Sequence, residues 1–239
     1  MYTNYIFDFY GTLVDIHTNE NSKSLWEKLA LFYSFNGAYY NAKELKTAYK
    51  RKIKETQISI TNTEYPDFPI ENIFQSLFED KDVQVSEYTI KATAQMFRIL
   101  SIKYLKLYDG VLELLDFLKE KKKKIYLLSN AQRIFTLYEM KVLGIYEYFY
   151  GIYFSSDYYV SKPDKIFFDK LLKEFNLDVK NSIMIGNDFI ADIEGASYVG
   201  LDSLYIDSNL SPKITKILKS KYNIIDGDIN KIAKLIISK

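Results

Sequence analysis

Four polar stations follow short apolar runs in this chain. In "YIFDFYGTLVD" the acid Asp8 closes the run Tyr5 to Phe9, and the chain breaks at Gly11-Thr12. Ser129 and Asn130 end "KIYLLSN", Lys162 lies in "YVSKPD", and Asn187, Asp188 and Asp192 follow "SIMIG". A carboxylate at the end of a buried strand is costly unless it is paired or used. Used, it can attack an electrophilic centre and form an ester or an acyl phosphate. Ser129 and Lys162 can bind a charged group of a substrate, and Lys162 can also keep the nucleophile ionised. Asp192, with Asn187 or Asp188, offers hard oxygen ligands beside Asp8, a donor type that suits Mg2+. Backbone N–H groups in the turn through Gly11 could hold the oxygens of a phosphoryl group.

For these stations to meet, the elements must place all four at one edge. From about Lys124 onward, apolar runs at 124–130, 151–156, 182–187, 203–207 and 222–226 read as strands buried on both faces. Between them run helical stretches, 163–175 with Pro163 in its first turn and 189–199 ended by Gly200. Ahead of them, 109–120 reads as a helix with Asp109 as its N-cap. Such alternation predicts an α/β fold with a doubly wound parallel sheet. Ligands of such sheets bind outside the carboxyl ends of the strands, where the four stations fall.

The first strand is separated from that series by 16–103, which reads helically. Leu25, Leu29 and Phe32 share one stripe, Leu45, Tyr49 and Ile53 a second, and Ile90, Ala94 and Phe97 another. The expected organisation is an all-helical insertion over 16–103 in an α/β core made of 1–15 and 104–239, with links near Val14–Thr18 and Ser101–Leu107. The lysine run 121–124 reads as a solvated helix end. Composition narrows the partners. With 32 basic and 31 acidic residues the formal charge is +1, which argues against a nucleic-acid surface. No apolar run is long enough for a membrane span, and no leader-like start is visible. Without cysteine there is no disulfide or thiolate chemistry. The expectation is a cytoplasmic protein acting on a small molecule, with no nucleic-acid or membrane partner.

Taken together and in order, "FDFYGTLVD", "LLSNA", "SKPDKIFF" and "IGNDFIADIEGA" resemble the motifs of the haloacid dehalogenase superfamily of hydrolases. The resemblance covers essentially the whole chain, with 16–103 matching a helical cap inserted after the first motif. It implies a Rossmann-like core and a covalent aspartyl intermediate on Asp8. Ser129 and Lys162 become catalytic, substrate-binding and charge-balancing residues. Thr12, Asn130 and Arg51 become substrate contacts. Asp8, Tyr10, Asn187, Asp188 and Asp192 form the set around Mg2+.

Two positions depart from the pattern of the family's phosphatases. These usually carry a second Asp two residues after the nucleophile, whose proton transfers contribute roughly 10²–10⁴-fold to rate. Here Tyr10 stands in that place, and a phenol with an ordinary pKa of about 10 is a poor base at neutral pH. The family's 2-haloacid dehalogenases carry Tyr there, since a halide leaves without a proton. The fourth motif departs differently, reading Gly186-Asn187 where Gly-Asp is common, with Asp188 following and Asp192 retained. A dehalogenase also needs a cation from the cap to receive halide. Of the three arginines, Arg51 is the candidate. The lone His17 reads as a hinge or surface residue. The favoured reading is a Mg2+-dependent phosphatase of a small phosphorylated metabolite. The alternatives are a metal-independent 2-haloacid dehalogenase and, behind it, a phosphoacceptor or binding module that is not an enzyme.

Overall fold

A computed structural model describes residues 2–236. Its centre is strand β1 (Asn4–Phe7), whose residues are all buried. Parallel neighbours flank it, β4 (Lys124–Ser129) on one side and β6 (Ser182–Gly186) on the other, so that Phe7 lies opposite both Leu127 and Ile185. The full order is β5-β4-β1-β6-β7-β8, with β5 at Gly151–Phe154, β7 at Asp202–Ile206 and β8 at Tyr222–Ile224. Every pairing in this sheet is parallel. Side chains alternate between its faces. Tyr5, Phe7, Leu127 and Ile185 pack on one side with helix α5 (Val111–Glu120) and helix α10 (Asn230–Ile236). Ile6, Tyr126, Leu128 and Met184 pack on the other, against helix α8 (Lys165–Glu174). Burial on both faces explains why these strands read as unbroken apolar runs. Placing β1 between β4 and β6 brings Asp8, Ser129 and Asn187 to adjacent strand ends.

Between β2 (Val14–Thr18) and β3 (Ile102–Leu107) the chain forms four helices: α1 (Lys23–Phe35), α2 (Ala42–Ser59), α3 (Glu71–Glu79) and α4 (Glu87–Ser101). They enclose an apolar cluster of their own, rich in rings. Tyr33 stacks on Phe78 with centroids 4.1 Å apart, and Trp26 meets Phe97 edge-on. Phe135 of helix α6 (Arg133–Val142) joins the same cluster from the core side. Strands β2 and β3 pair antiparallel, as a stem between the helices and the sheet. The sequence reading had no strand there. Helix α4 passes into β3 with no intervening residue, so no Gly or Pro marks the change.

Three local expectations need correction. Helix α5 starts after Gly110, at φ +89°, with no side-chain cap from Asp109. Pro163 precedes α8 rather than opening its first turn, and the cap is Asp164, whose carboxylate accepts the Ile166 N–H at 2.9 Å. The stretch after β6 begins as a wide π-helical turn, Phe189–Glu194, before the short helix α9 (Gly195–Tyr198). Among the described residues, no helix is long and apolar enough to cross a membrane.

Candidate active site

Asp8 follows β1 directly, and its N–H still bonds to the Ile185 carbonyl at 3.0 Å, so the sheet fixes its backbone. The chain then folds into a tight turn in which Leu13 and Val14 donate to the Phe9 carbonyl and Gly11 donates to Val14. Gly11 has φ +82°, and a Cβ there would lie 2.3 Å from the Asn187 amide. Only glycine satisfies both the backbone and the close approach. The N–H groups of Gly11 through Val14 are therefore engaged within the turn. Among the described residues, those of Phe9 and Tyr10 remain for an incoming anion.

The Asp8 carboxylate is held asymmetrically. Its Oδ1 accepts from Ser129 Oγ at 2.9 Å and from Lys162 Nζ at 2.7 Å. No hydrogen bond from the described residues reaches Oδ2. Lys162 is buried, and its Nζ also donates to Asp192 Oδ1 at 2.6 Å. Burial alone would discharge this ammonium, but Asp192 and Asp8 outweigh it and raise its pKa. Asp192 has no exposure, and burial raises its pKa against the pull of Lys162. Its second oxygen accepts the Asp188 N–H at 2.9 Å. Gly186 makes this packing possible, since a Cβ there would lie 2.2 Å from the Asp192 carboxylate.

Most of the expected site residues bond to one another. Asn130 grips the Lys162 backbone at both ends, donating to its carbonyl at 2.9 Å and accepting its N–H at 2.8 Å, so its amide places Lys162. Thr12 donates to Asn187 Oδ1 at 3.2 Å. Asp188 caps the π-helical turn by accepting from Ile190 and Ala191. Asp192, expected among the metal ligands, has both oxygens engaged and serves as the counter-charge of Lys162. Arg51, expected as a substrate contact, is exposed on α2 beside Asp80 at 3.6 Å and does not line the Asp8 cavity. His17 lies on β2, stacked on Tyr104.

Tyr10 lines the cavity with Asp8, Ser129, Lys162, Asn187 and Asp188, but its hydroxyl turns elsewhere. It meets Thr136 Oγ1 at 2.9 Å, accepts from Arg98 Nη2 at 3.0 Å and donates to Glu139 through a short hydrogen bond. Arg98 Nε in turn bonds Glu139 Oε1 at 2.6 Å. Burial, and then the Glu139 charge, push the phenol far above its ordinary pKa. The sequence reading missed Arg98, Thr136 and Glu139. One signal was present, because Glu139 interrupts the buried stripe Phe135, Thr136, Met140 of α6 and a buried acid needs a partner.

The cavity holds about 150 Å³ and is lined also by Leu210 and Pro212, from the loop after β7. Its polar groups can be tested against a cation. Among the described residues no three acidic or imidazole side chains converge to hold one unaided. Asp8, Asn187 and Asp188 do line the cavity together. Mg2+ commonly takes one or two carboxylates, keeps several waters and completes its shell from a substrate phosphate. The donor set fits that habit. The charge fits as well, since three carboxylates (Asp8, Asp188, Asp192) face one ammonium, and an anionic substrate needs further positive charge to enter.

Comparison with known proteins bears on the family and the fold. The chain is 22% identical to the pyrimidine 5'-nucleotidase PynA of Streptococcus pneumoniae over 175 residues, 73% of this chain and 66% of PynA. The chain spans between 42% and 66% of the length of the curated relatives it matches. Two solved structures share the fold over nearly their whole length. YfnB of Bacillus subtilis, bound to magnesium, has TM-score 0.57 at 18% identity, covering 98% of this chain and 97% of that one. A dehalogenase solved with an intermediate complex has TM-score 0.62 at 16% identity, covering 100% and 98%. Residues 2–200 match the family described as haloacid dehalogenase-like hydrolase. That span contains all four strand-end stations, and the chain belongs to the haloacid dehalogenase-like hydrolases.

Proposed function

We propose that the protein is a phosphatase of a small phosphorylated metabolite, acting in the cytoplasm through a covalent aspartyl intermediate on Asp8 and assisted by Mg2+. The observation that carries this reading is the asymmetry of the Asp8 carboxylate. Ser129 and Lys162 fix Oδ1, which orients the carboxylate and keeps it ionised, and Oδ2 remains to attack phosphorus. The P–O bond to the leaving group breaks, and water then hydrolyses the acyl phosphate. Asp8, Asn187 and Asp188 would hold Mg2+, whose bound charge stabilises the transferring phosphoryl oxygens. The 150 Å³ cavity has room for about five waters, enough for a phosphoryl group with little else, so the substrate's body extends beyond it.

Tyr10 shapes the kinetics. With its proton committed to Glu139, the leaving group departs on its own stability, and aryl or acyl phosphates are favoured over alkyl esters. Position 10 likewise offers no base for breakdown of the acyl phosphate. Good leaving groups should therefore give a burst followed by a slow steady rate. Tyr10 also motivates a second reading, a metal-independent dehalogenase, because halide needs no proton. Phosphate released from an aryl phosphate and chloride released from a 2-chloro acid, each with and without EDTA, separate the two. Phosphate release that EDTA abolishes is the expected result. Chloride release indifferent to EDTA would replace this reading with the second.

A further inference from the structure

We propose that Arg98 and Glu139 are positioning residues for the reaction at Asp8, holding the Tyr10 hydroxyl away from the leaving group and tying cap helix α4 to the core. The inference rests on the phosphatase reading for its kinetic test and on the geometry alone for its structural one.

The case begins with a count of hydrogen-bonding capacity. A phenol has one proton to give and about two lone pairs to receive. Glu139 is an acceptor and takes the proton. Arg98 has only donors, so it occupies one lone pair at 3.0 Å. Thr136, 2.9 Å away, is left to donate to the other. Every capacity of the Tyr10 hydroxyl is then filled by α4 and α6, and none remains for a substrate oxygen in the cavity that the ring lines.

The origins of these groups give the second part. Arg98 lies in the last turn of cap helix α4, Thr136 and Glu139 lie one turn apart on core helix α6, and Tyr10 belongs to the turn after Asp8. The Arg98 guanidinium grips Glu139 through Nε at 2.6 Å and Nη2 at 3.4 Å while Nη2 also reaches Tyr10. It lies over the Phe135 ring as well, at 5.2 Å from its centroid. Glu139 is 6% exposed, and lifting α4 would take away its guanidinium partner. The placement of the cap and of Tyr10 are thus one event. A lysine could supply the charge but not the planar fork that spans two partners.

The test uses Tyr10→Phe, Arg98→Met, Arg98→Lys and Glu139→Gln in the full chain, assayed well below their melting temperatures. The substrates are p-nitrophenyl phosphate and glycerol phosphate. Tyr10→Phe should lower kcat/KM for both by the same factor, about tenfold, leaving the aryl-to-alkyl ratio unchanged. Arg98→Met should do the same, and the Tyr10→Phe/Arg98→Met double variant should be no worse than either alone. Arg98→Lys should recover part of the loss, and it carries the cycle if Arg98→Met does not fold. An aryl-to-alkyl ratio that rises tenfold in Tyr10→Phe would identify Tyr10 as a proton donor and overturn the proposal, as would losses that multiply. Hydrogen exchange of the unliganded protein supplies the structural arm. Amides of α4 and α6 should exchange faster in Arg98→Met, or in Arg98→Lys if Arg98→Met does not fold, and in Glu139→Gln. Unchanged exchange would refute the tie between cap and core. If the wild type releases no phosphate from either ester, the phosphatase reading has failed, and the exchange result alone decides the positioning role.

Discussion

The Asp8–Lys162–Asp192 cluster and the Tyr10–Arg98–Glu139 cluster begin two residues apart, yet they are built on opposite plans. The first joins loop residues Asp8 and Lys162 to Asp192 of the π-helical turn after β6, sets two carboxylates against one ammonium, and leaves Asp8 Oδ2 without a hydrogen bond from the described residues. The second spans cap and core, matches one guanidinium to one carboxylate, and fills the phenol's whole bonding capacity. The first keeps residual charge and a carboxylate oxygen with hydrogen-bonding capacity to spare. Balance and saturation suit the second to holding parts in place.

Four substitutions would break or sharpen that contrast. Asp8→Asn should abolish turnover while leaving the melting temperature near that of the parent, because the isostere removes a charge from a cluster with carboxylate to spare. Full activity, with deamidation excluded by mass spectrometry, would end the covalent mechanism. Tyr10→Asp should release position 10 from α6 and supply the missing acid and base, raising turnover of alkyl phosphates by up to roughly 10²–10⁴. A fall in steady-state phosphate release would instead show that the ring's anchoring matters more than its replacement's chemistry. Lys162→Met leaves Asp8 and Asp192 facing each other in a buried site, and should cost about 3–5 kcal/mol in a denaturant titration. A cost below 1 kcal/mol would show that the two acids share a proton comfortably without it. Arg51→Ala should change stability by no more than about 0.5 kcal/mol and leave kcat/KM within about twofold, since its exposed pairs contribute little. A large rise in KM would return Arg51 to the site.

The same contrast explains what the sequence could disclose. Asp8 ends an apolar run before Gly11, Lys162 adjoins Pro163, and Asp192 follows soon after the run that closes at Gly186-Asn187, so strand ends could be found and a shared edge inferred. Arg98 and Glu139 lie inside helices, and nothing in "QMFRILS" or "LYEMKV" says that they face each other across two parts of the chain. Arg51 looked the better cation because it lies on the second helix of the insertion, yet its basic neighbours mark a solvated helix face. The β2–β3 stem escaped because the helical period of α4 runs on into β3 without punctuation. Asp109 and Pro163 fit the preferences of helix starts, but the neighbouring Gly110 and Asp164 hold those places.

The pairing of β1 has a consequence for the order in which the molecule assembles. Asn4 lies opposite Lys124 on one side and Ser182 on the other, so the first strand made is the sheet's centre and has no partner when it emerges. At roughly 5–20 residues per second, synthesis leaves it waiting on the order of 10 s. Meanwhile the contiguous helices α1 to α4 can close their ring-lined core through local contacts, which form fastest. The insertion then draws β2 and β3 together and shortens the loop that β1 must close to reach β4. The helical insertion thus also serves as the brace on which the sheet is built.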